Sequence, residues 1–115
     1  MLPPSVRIFV CTAPQDMRRS FDTLALAAQQ VVGEDPRGGS LFVFLGRRGN
    51  RVKVLWWDEN GYCLLYKRLH GARFVVPVPR TGATAVLRID AAALAQLLKG
   101  VQKDAKNHTH TVVFH

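Results

Sequence analysis

Between Leu41 and Val76 the chain repeats one pattern: apolar, β-branched and aromatic runs broken by short clusters of glycine, asparagine and charge. The runs are Leu41–Leu45, Arg51–Trp57, Tyr62–Leu69 and Gly71–Val76, and the breaks between the first three are Gly46-Arg47-Arg48-Gly49-Asn50 and Asp58-Glu59-Asn60-Gly61. Runs of this length and composition read as strands, and breaks this short join them as antiparallel hairpins. Asn60-Gly61 is the strongest turn signal, because a type I′ turn needs positive φ at both central residues.

The strands on either side of that turn can be assigned to faces. Whether the loop holds Asn60-Gly61 alone or all of Asp58–Gly61, paired residue numbers sum to an odd value, so the same side chains share a face. One face carries Val52, Val54, Trp56, Cys63, Leu65 and Leu69, with Lys67 among them, and is expected to be core. The other carries Arg51, Lys53, Leu55 and Trp57 beside Tyr62, Leu64, Tyr66 and Arg68. Rings interleaved with cations suit base stacking and phosphate neutralisation. The same composition also covers the half-wet side of a sheet, where Lys and Arg snorkel over aromatic rings, or packs under a helix.

Charge gives the nucleic-acid reading weight. The chain has 16 Lys and Arg against 8 Asp and Glu. Leu41–Arg80 contributes Arg47, Arg48, Arg51, Lys53, Lys67, Arg68, Arg73 and Arg80 against Asp58 and Glu59, so eight minus two leaves +6 of the net +8 on this third of the chain. Charge gathered on one structural unit points to a polyanion, with nucleic acid first. The adjacent arginines of the glycine-flanked loop, Arg47 and Arg48, would clamp phosphates or enter a groove, although a hairpin tip is also polar simply because it is wet.

Before this stretch, Val6–Cys11 reads as a short strand. A helix follows, capped either by Thr12 with Gln15 three residues on or by Asp16, and Met17, Phe21, Leu24, Ala28 and Val31 make one apolar stripe expected to face the core. Arg18 and Arg19 then fall in the first turn, where the helix dipole disfavours cations. That placement marks them as candidate anion-binding residues, with Asp16 and Asp22 in reach as alternative partners. Gly33–Ser40 is a loop without the Gly-Lys-Ser/Thr ending of a phosphate cradle. Leu41–Leu45, apolar throughout, is expected to be covered on both faces. After Pro77 and Pro79, Thr84–Ile89 reads as a strand, and Asp90 caps a helix from Ala91 to Lys99 with Leu94, Leu97 and Leu98 inward and Gly100 as its stop.

At 115 residues the chain is expected to form a single α+β domain over residues 1–101, an antiparallel meander packed with one helix from the N-terminal half and a short C-terminal helix. Residues 102–115 form a tail with Thr109–Phe114 as a candidate pairing strand, which makes a sheet edge or this tail a candidate homodimer contact. No apolar run approaches the length of a membrane span, and Met1–Ser5 lacks a basic start, so a cytoplasmic protein that contacts no membrane is expected. Cys11 and Cys63 are then expected as free thiols.

Chemistry has few candidates. Asp16, Asp22, Asp58, Glu59 and Asp90 fall at caps and turns, where aspartate is common for structural reasons. Cys63 with His70, and His108 with His110, lack the paired spacing of a zinc site. No catalytic residue, metal or cofactor is expected.

The run Asp16–Leu24, then Leu41–Phe44, Arg47-Arg48-Gly49, Lys53–Asp58, Gly61–Leu69 and Gly71–Phe74, with Leu97–Gly100 closing, resembles the TnpB-type accessory protein of the insertion-sequence-sixty-six family. The likeness covers about residues 5 to 101 in unbroken order, and departs from the family pattern at His70, at Val76 and after Val101. It implies a small bacterial protein encoded beside a larger transposase and needed for efficient transposition, with the strand chemistry belonging to that transposase. From charge and faces alone, the expected DNA site is Arg47, Arg48, Arg51, Lys53, Lys67, Arg68 and Arg73 on phosphates, with Trp57, Tyr62 and Tyr66 as stacking partners. The alternative is an adaptor that docks on the transposase through the same face without touching DNA.

Overall fold

The computed structural model describes residues 5–76 and 84–102. The chain runs β1 (Ile8–Gln15), α1 (Phe21–Val32), β2 (Leu41–Gly46), β3 (Arg51–Asp58), β4 (Gly61–Arg68), β5 (Ala72–Arg73), β6 (Val86–Ile89), α2 (Ala91–Lys99) and β7 (Val101–Gln102). It is an α+β fold. Five strands form one sheet in the order β4-β3-β2-β1-β6, and β5 pairs with β7 in a small second sheet.

β2 sits at the centre and is buried at all six residues, as its unbroken apolar run requires. Two cores form, one on each side of it. Ile8, Val10, Leu41, Val43, Leu45, Val52 and Val54 pack with Leu94 and Leu97 of α2. Phe9, Cys11, Phe42, Phe44 and Leu55 pack with Leu24, Ala25, Ala27 and Ala28 of α1. The helices therefore cover opposite faces, and the face that carries Arg51, Lys53, Leu55 and Trp57 lies partly under α1, as one of its two readings had it.

The meander is antiparallel over β2, β3 and β4, as the pattern predicts, but the sheet is mixed. β1 joins β2 in parallel, from Ile8↔Leu41 to Cys11↔Phe44 and, after an irregularity, Gln15↔Gly46. A parallel neighbour needs a crossover of a dozen or more residues, which α1 supplies. The run Gly71–Val76 does not continue the meander; only Ala72–Arg73 is a strand, and it pairs with Val101–Gln102 at the start of the expected tail. Pro77, Pro79 and Thr109–Phe114 lie outside the described residues.

Three local expectations are corrected. Neither Thr12 nor Asp16 caps α1: β1 runs on to Gln15, and Ser20 is the cap, its N–H donating to Thr23 Oγ1 at 3.1 Å. The helical stripe is only partly inward, since Leu24 and Ala28 are buried whereas Phe21 and Val31 stand exposed at the helix ends. The β3–β4 loop holds Glu59 and Asn60, with Asp58 paired to Gly61, and positive φ falls on Glu59 alone, at 53°. The face assignment survives, because the pairs sum to 119. Asp90 caps α2 as expected, Oδ1 accepting from Ala93 N–H at 2.8 Å. Gly100 ends it at φ 74°, where a Cβ would collide with Leu69 Cδ1.

Both cysteines are free. Burial pushes the Cys11 thiol up to about 11, so almost none of it is thiolate near neutrality. Cys63, on β4, is only half-buried. An alkylating reagent at pH 8 should therefore modify Cys63 in the folded protein and spare Cys11 until denaturant is added; mass spectrometry of each peptide checks this, and equal labelling in the folded state would refute it.

Candidate nucleic-acid interface

Four segments of chain converge at one end of the main sheet. β2 leaves it at Gly46, and Gly49 N–H closes the hairpin on Gly46 O at 3.2 Å with φ 80° at Gly49. β3 enters at Arg51, directly opposite Arg68 at the end of β4. β1 ends at Gln15 beside Gly46, so the turn Asp16–Arg19 lies against the same hairpin. Between them opens a cleft of about 660 Å³, lined by Arg18, Arg47, Arg48 and Arg51 and by Gln15, Met17, Asn50 and Tyr66, with Asp16 as its one carboxylate among the described residues.

Asp16 is already engaged. Its carboxylate takes the Arg18 guanidinium, Nη2 to Oδ2 at 2.7 Å, and the Arg18 backbone N–H, which together hold the acid well below the usual carboxylate range. Arg18 and Arg19 precede α1 rather than occupying its first turn, and Arg19 Nη1 donates to Gln15 Oε1 at 3.1 Å. Arg47 and Arg48 project from the hairpin, both exposed. Arg73 flanks it: Phe74 N–H donates to Gly49 O at 2.7 Å, and a Cβ on Gly49 would stand 3.9 Å from Arg73 Nε and Nη2. Seven arginines, Arg18, Arg19, Arg47, Arg48, Arg51, Arg68 and Arg73, thus gather at one sheet end.

Two features of this end do not serve the fold. Arg51 and Arg68 are direct cross-strand neighbours, an arrangement that destabilises a sheet. Arg51 Nη1 donates to Tyr66 OH at 3.2 Å, yet its Nε and the neighbouring Asn50 Oδ1 are buried with no partner among the described residues. A buried donor left open costs about 1–3 kcal/mol. Arg51 also lines the cleft with Arg18, Arg47 and Arg48, and guanidinium groups so placed suit a phosphate oxygen.

The structure divides the other residues singled out from sequence. Lys53 is 6% exposed; its Nζ donates to Arg19 O and lies 4.8 Å from the Tyr66 ring centre, so it ties the turn before α1 to the sheet. Lys67 points to the α2 side, its Nζ donating to Leu98 O at 2.8 Å. Trp57 and Tyr62 meet edge to face at 5.0 Å, with the Arg37 guanidinium 5.8 Å from the Trp57 ring. Six residues of strand put this pair about 20 Å from Arg51, too far to serve the same phosphates. Tyr66 alone of the three rings stands with the arginines. Sequence reasoning missed Gln15, Met17, Asn50 and Arg37; the first two join the cleft only through the parallel pairing of β1 with β2, which no local pattern encodes. No cluster of three or more His, Cys, Asp or Glu suited to a metal occurs among the described residues, and no helix among them is long and apolar enough to cross a membrane.

Losing the Lys53 ammonium strands the Arg19 carbonyl. Lys53→Ala should lower stability by about 1.5–3 kcal/mol in urea unfolding, in line with a charge-assisted hydrogen bond. A change within error would mean that the contact carries nothing.

The model of the family described as IS66 Orf2 like protein matches residues 6–108. Two uncharacterized proteins of Sinorhizobium fredii (strain NBRC 101917 / NGR234) are similar. One, y4hO, is 46% identical over 103 residues, covering 88% of this chain and 87% of its own length. The other, y4jC, is 35% identical over 85 residues, covering 72% and 73%. No solved structure matches the chain.

Proposed function

The chain belongs to the IS66 Orf2-like family and is thus an insertion-sequence-associated accessory protein, and from that premise we propose that it binds the DNA of its element through the arginine end of its sheet. The observation that carries this reading is the cluster itself: Arg47, Arg48 and Arg51 line one cleft with Arg18, Arg73 lies beside Gly49 of the same hairpin, and Arg68 stands opposite Arg51 although that pairing costs the fold. Asp16, the one carboxylate lining the cleft among the described residues, is spent on Arg18. Guanidiniums arranged this way meet backbone phosphates, which position a protein on a duplex without reading its sequence. Tyr66, half exposed beside Arg51, would lie against sugar or base. The role is non-catalytic: the protein holds or presents the element ends while the strand chemistry is performed by the transposase.

A second reading, docking on the transposase, has the Arg37, Trp57 and Tyr62 group in its favour, an aromatic and cationic cluster separate from the arginine cleft. Salt separates the two. Five phosphate contacts on duplex DNA give a log–log salt slope of about −4.5, whereas an aromatic protein interface is far less sensitive. Measured on a duplex of the element's terminal repeat, Arg47→Ala with Arg48→Ala should flatten that slope by up to about 2, and Lys67→Ala should leave it unchanged. No binding at low salt, or equal effects of all three substitutions, would contradict the proposal.

A further inference from the structure

The two edges of the main sheet are unequal. β6 is four residues long, with Arg88 exposed on it. β4 is eight residues long, has no proline, and keeps its register with β3 from Arg51↔Arg68 to Asp58↔Gly61 without a shift. Soluble proteins shorten, bulge or charge such an edge, because bare N–H and C=O groups template another strand. Here Leu65 and Tyr66 are 39% and 49% exposed. Lys67, placed to guard the edge, is held on Leu98 O instead.

One backbone bond sets the phase of the edge. Leu69 N–H donates to Asn50 O, so residue 69 turns its groups toward β3. By alternation the N–H and C=O groups of Tyr62, Leu64, Tyr66 and Arg68 face outward. The strand is also polar end to end: Asp58 and Glu59 precede it, and Lys67 and Arg68 close it. Neither carboxylate forms an ion pair with a described residue.

We propose that a second copy of this chain is the partner of this edge, the two β4 strands pairing antiparallel about a twofold axis normal to the sheet. Two five-stranded sheets then become one. With Leu64 opposite its own counterpart, Tyr62 meets Tyr66 and Arg68 meets the partner's Asn60, beside the partner's Glu59. Outward-facing residues pair with outward-facing residues, so the backbone groups of both edges are satisfied together. Each basic end lies on the other copy's acidic turn. A parallel arrangement would instead bring like charges together.

The pairing has a consequence that rests on the DNA reading above. The axis preserves the faces of the sheet, so both arginine clusters lie on one side. Eight residues along the strands and three inter-strand steps separate the two Arg51 positions by about 31 Å. That is close to one turn of duplex, about 34–36 Å, the spacing at which dimers engage successive half-sites on one face of DNA.

Sedimentation equilibrium without DNA tests the pairing by itself. The protein should show a mass of twice 12.8 kDa. Arg68→Glu, which sets two acids together, should weaken the dimer at least about tenfold, and adding Glu59→Arg to the same chain should restore it. Restoration also shows that the single variant had not simply misfolded. A monomer at every concentration, or a dimer indifferent to Arg68→Glu, overturns the proposal. A monomer that still binds duplex with a steep salt dependence removes the pairing alone; a dimer that binds no DNA keeps the pairing and removes the DNA reading.

Discussion

The structure depends on a strand that has no wet side. β2 is apolar at every position except its closing Gly46, and it can be buried only if layers cover both faces of the sheet. α1 and α2 do this from opposite sides, with small residues of α1 over Phe42 and Phe44 and the leucines of α2 over Leu41, Val43 and Leu45. The same requirement sets the topology. A helix that begins after β1 and packs across the sheet returns the chain parallel to β1, so the carboxyl ends of β1 and β2 lie side by side. Asp16–Arg19 and Arg47–Asn50 are brought together by that fact alone. The arginine cleft is therefore a product of core burial, and its chemistry is added at the loop ends where the core makes no demand.

Features set by local rules were legible in the sequence. An odd register sum places Val52, Val54 and Trp56 together whatever the turn, and they lie together on the α2 face. Asp90 announces α2, and Gly100 ends it. Where two local signals compete, the sequence misleads: Thr12 and Asp16 both look like caps, but the pairing of β1 with β2 carries the strand past the first, and the second is taken by Arg18. Asn60-Gly61 marks the right hairpin yet not the residue that adopts positive φ, because Asp58↔Gly61 is already a ladder pair.

What covers a face is a different question from which residues share it. Lys53 and Arg51 alternate on one side of β3 and look equivalent in sequence. Only Lys53 lies under the turn before α1, so it becomes a buried donor to Arg19 O whereas Arg51 opens onto the cleft. The aromatic residues divide for a similar reason. Period two assigns Trp57, Tyr62 and Tyr66 to one face, but strand length then separates the first two from the arginines by about 20 Å. A composition that reads as one mixed patch is in three dimensions a basic end and an aromatic end.

That division is the central claim, and a titration of the nitrogen-15-labelled protein with duplex DNA, followed by amide and indole shifts, tests it most directly. The backbone signals of Arg18, Arg47–Arg51, Tyr66 and Arg68 should move together, while the Trp57 indole, which donates to Glu59 O, stays in place. Shifts centred on Trp57 and Tyr62 with a silent hairpin would contradict the account.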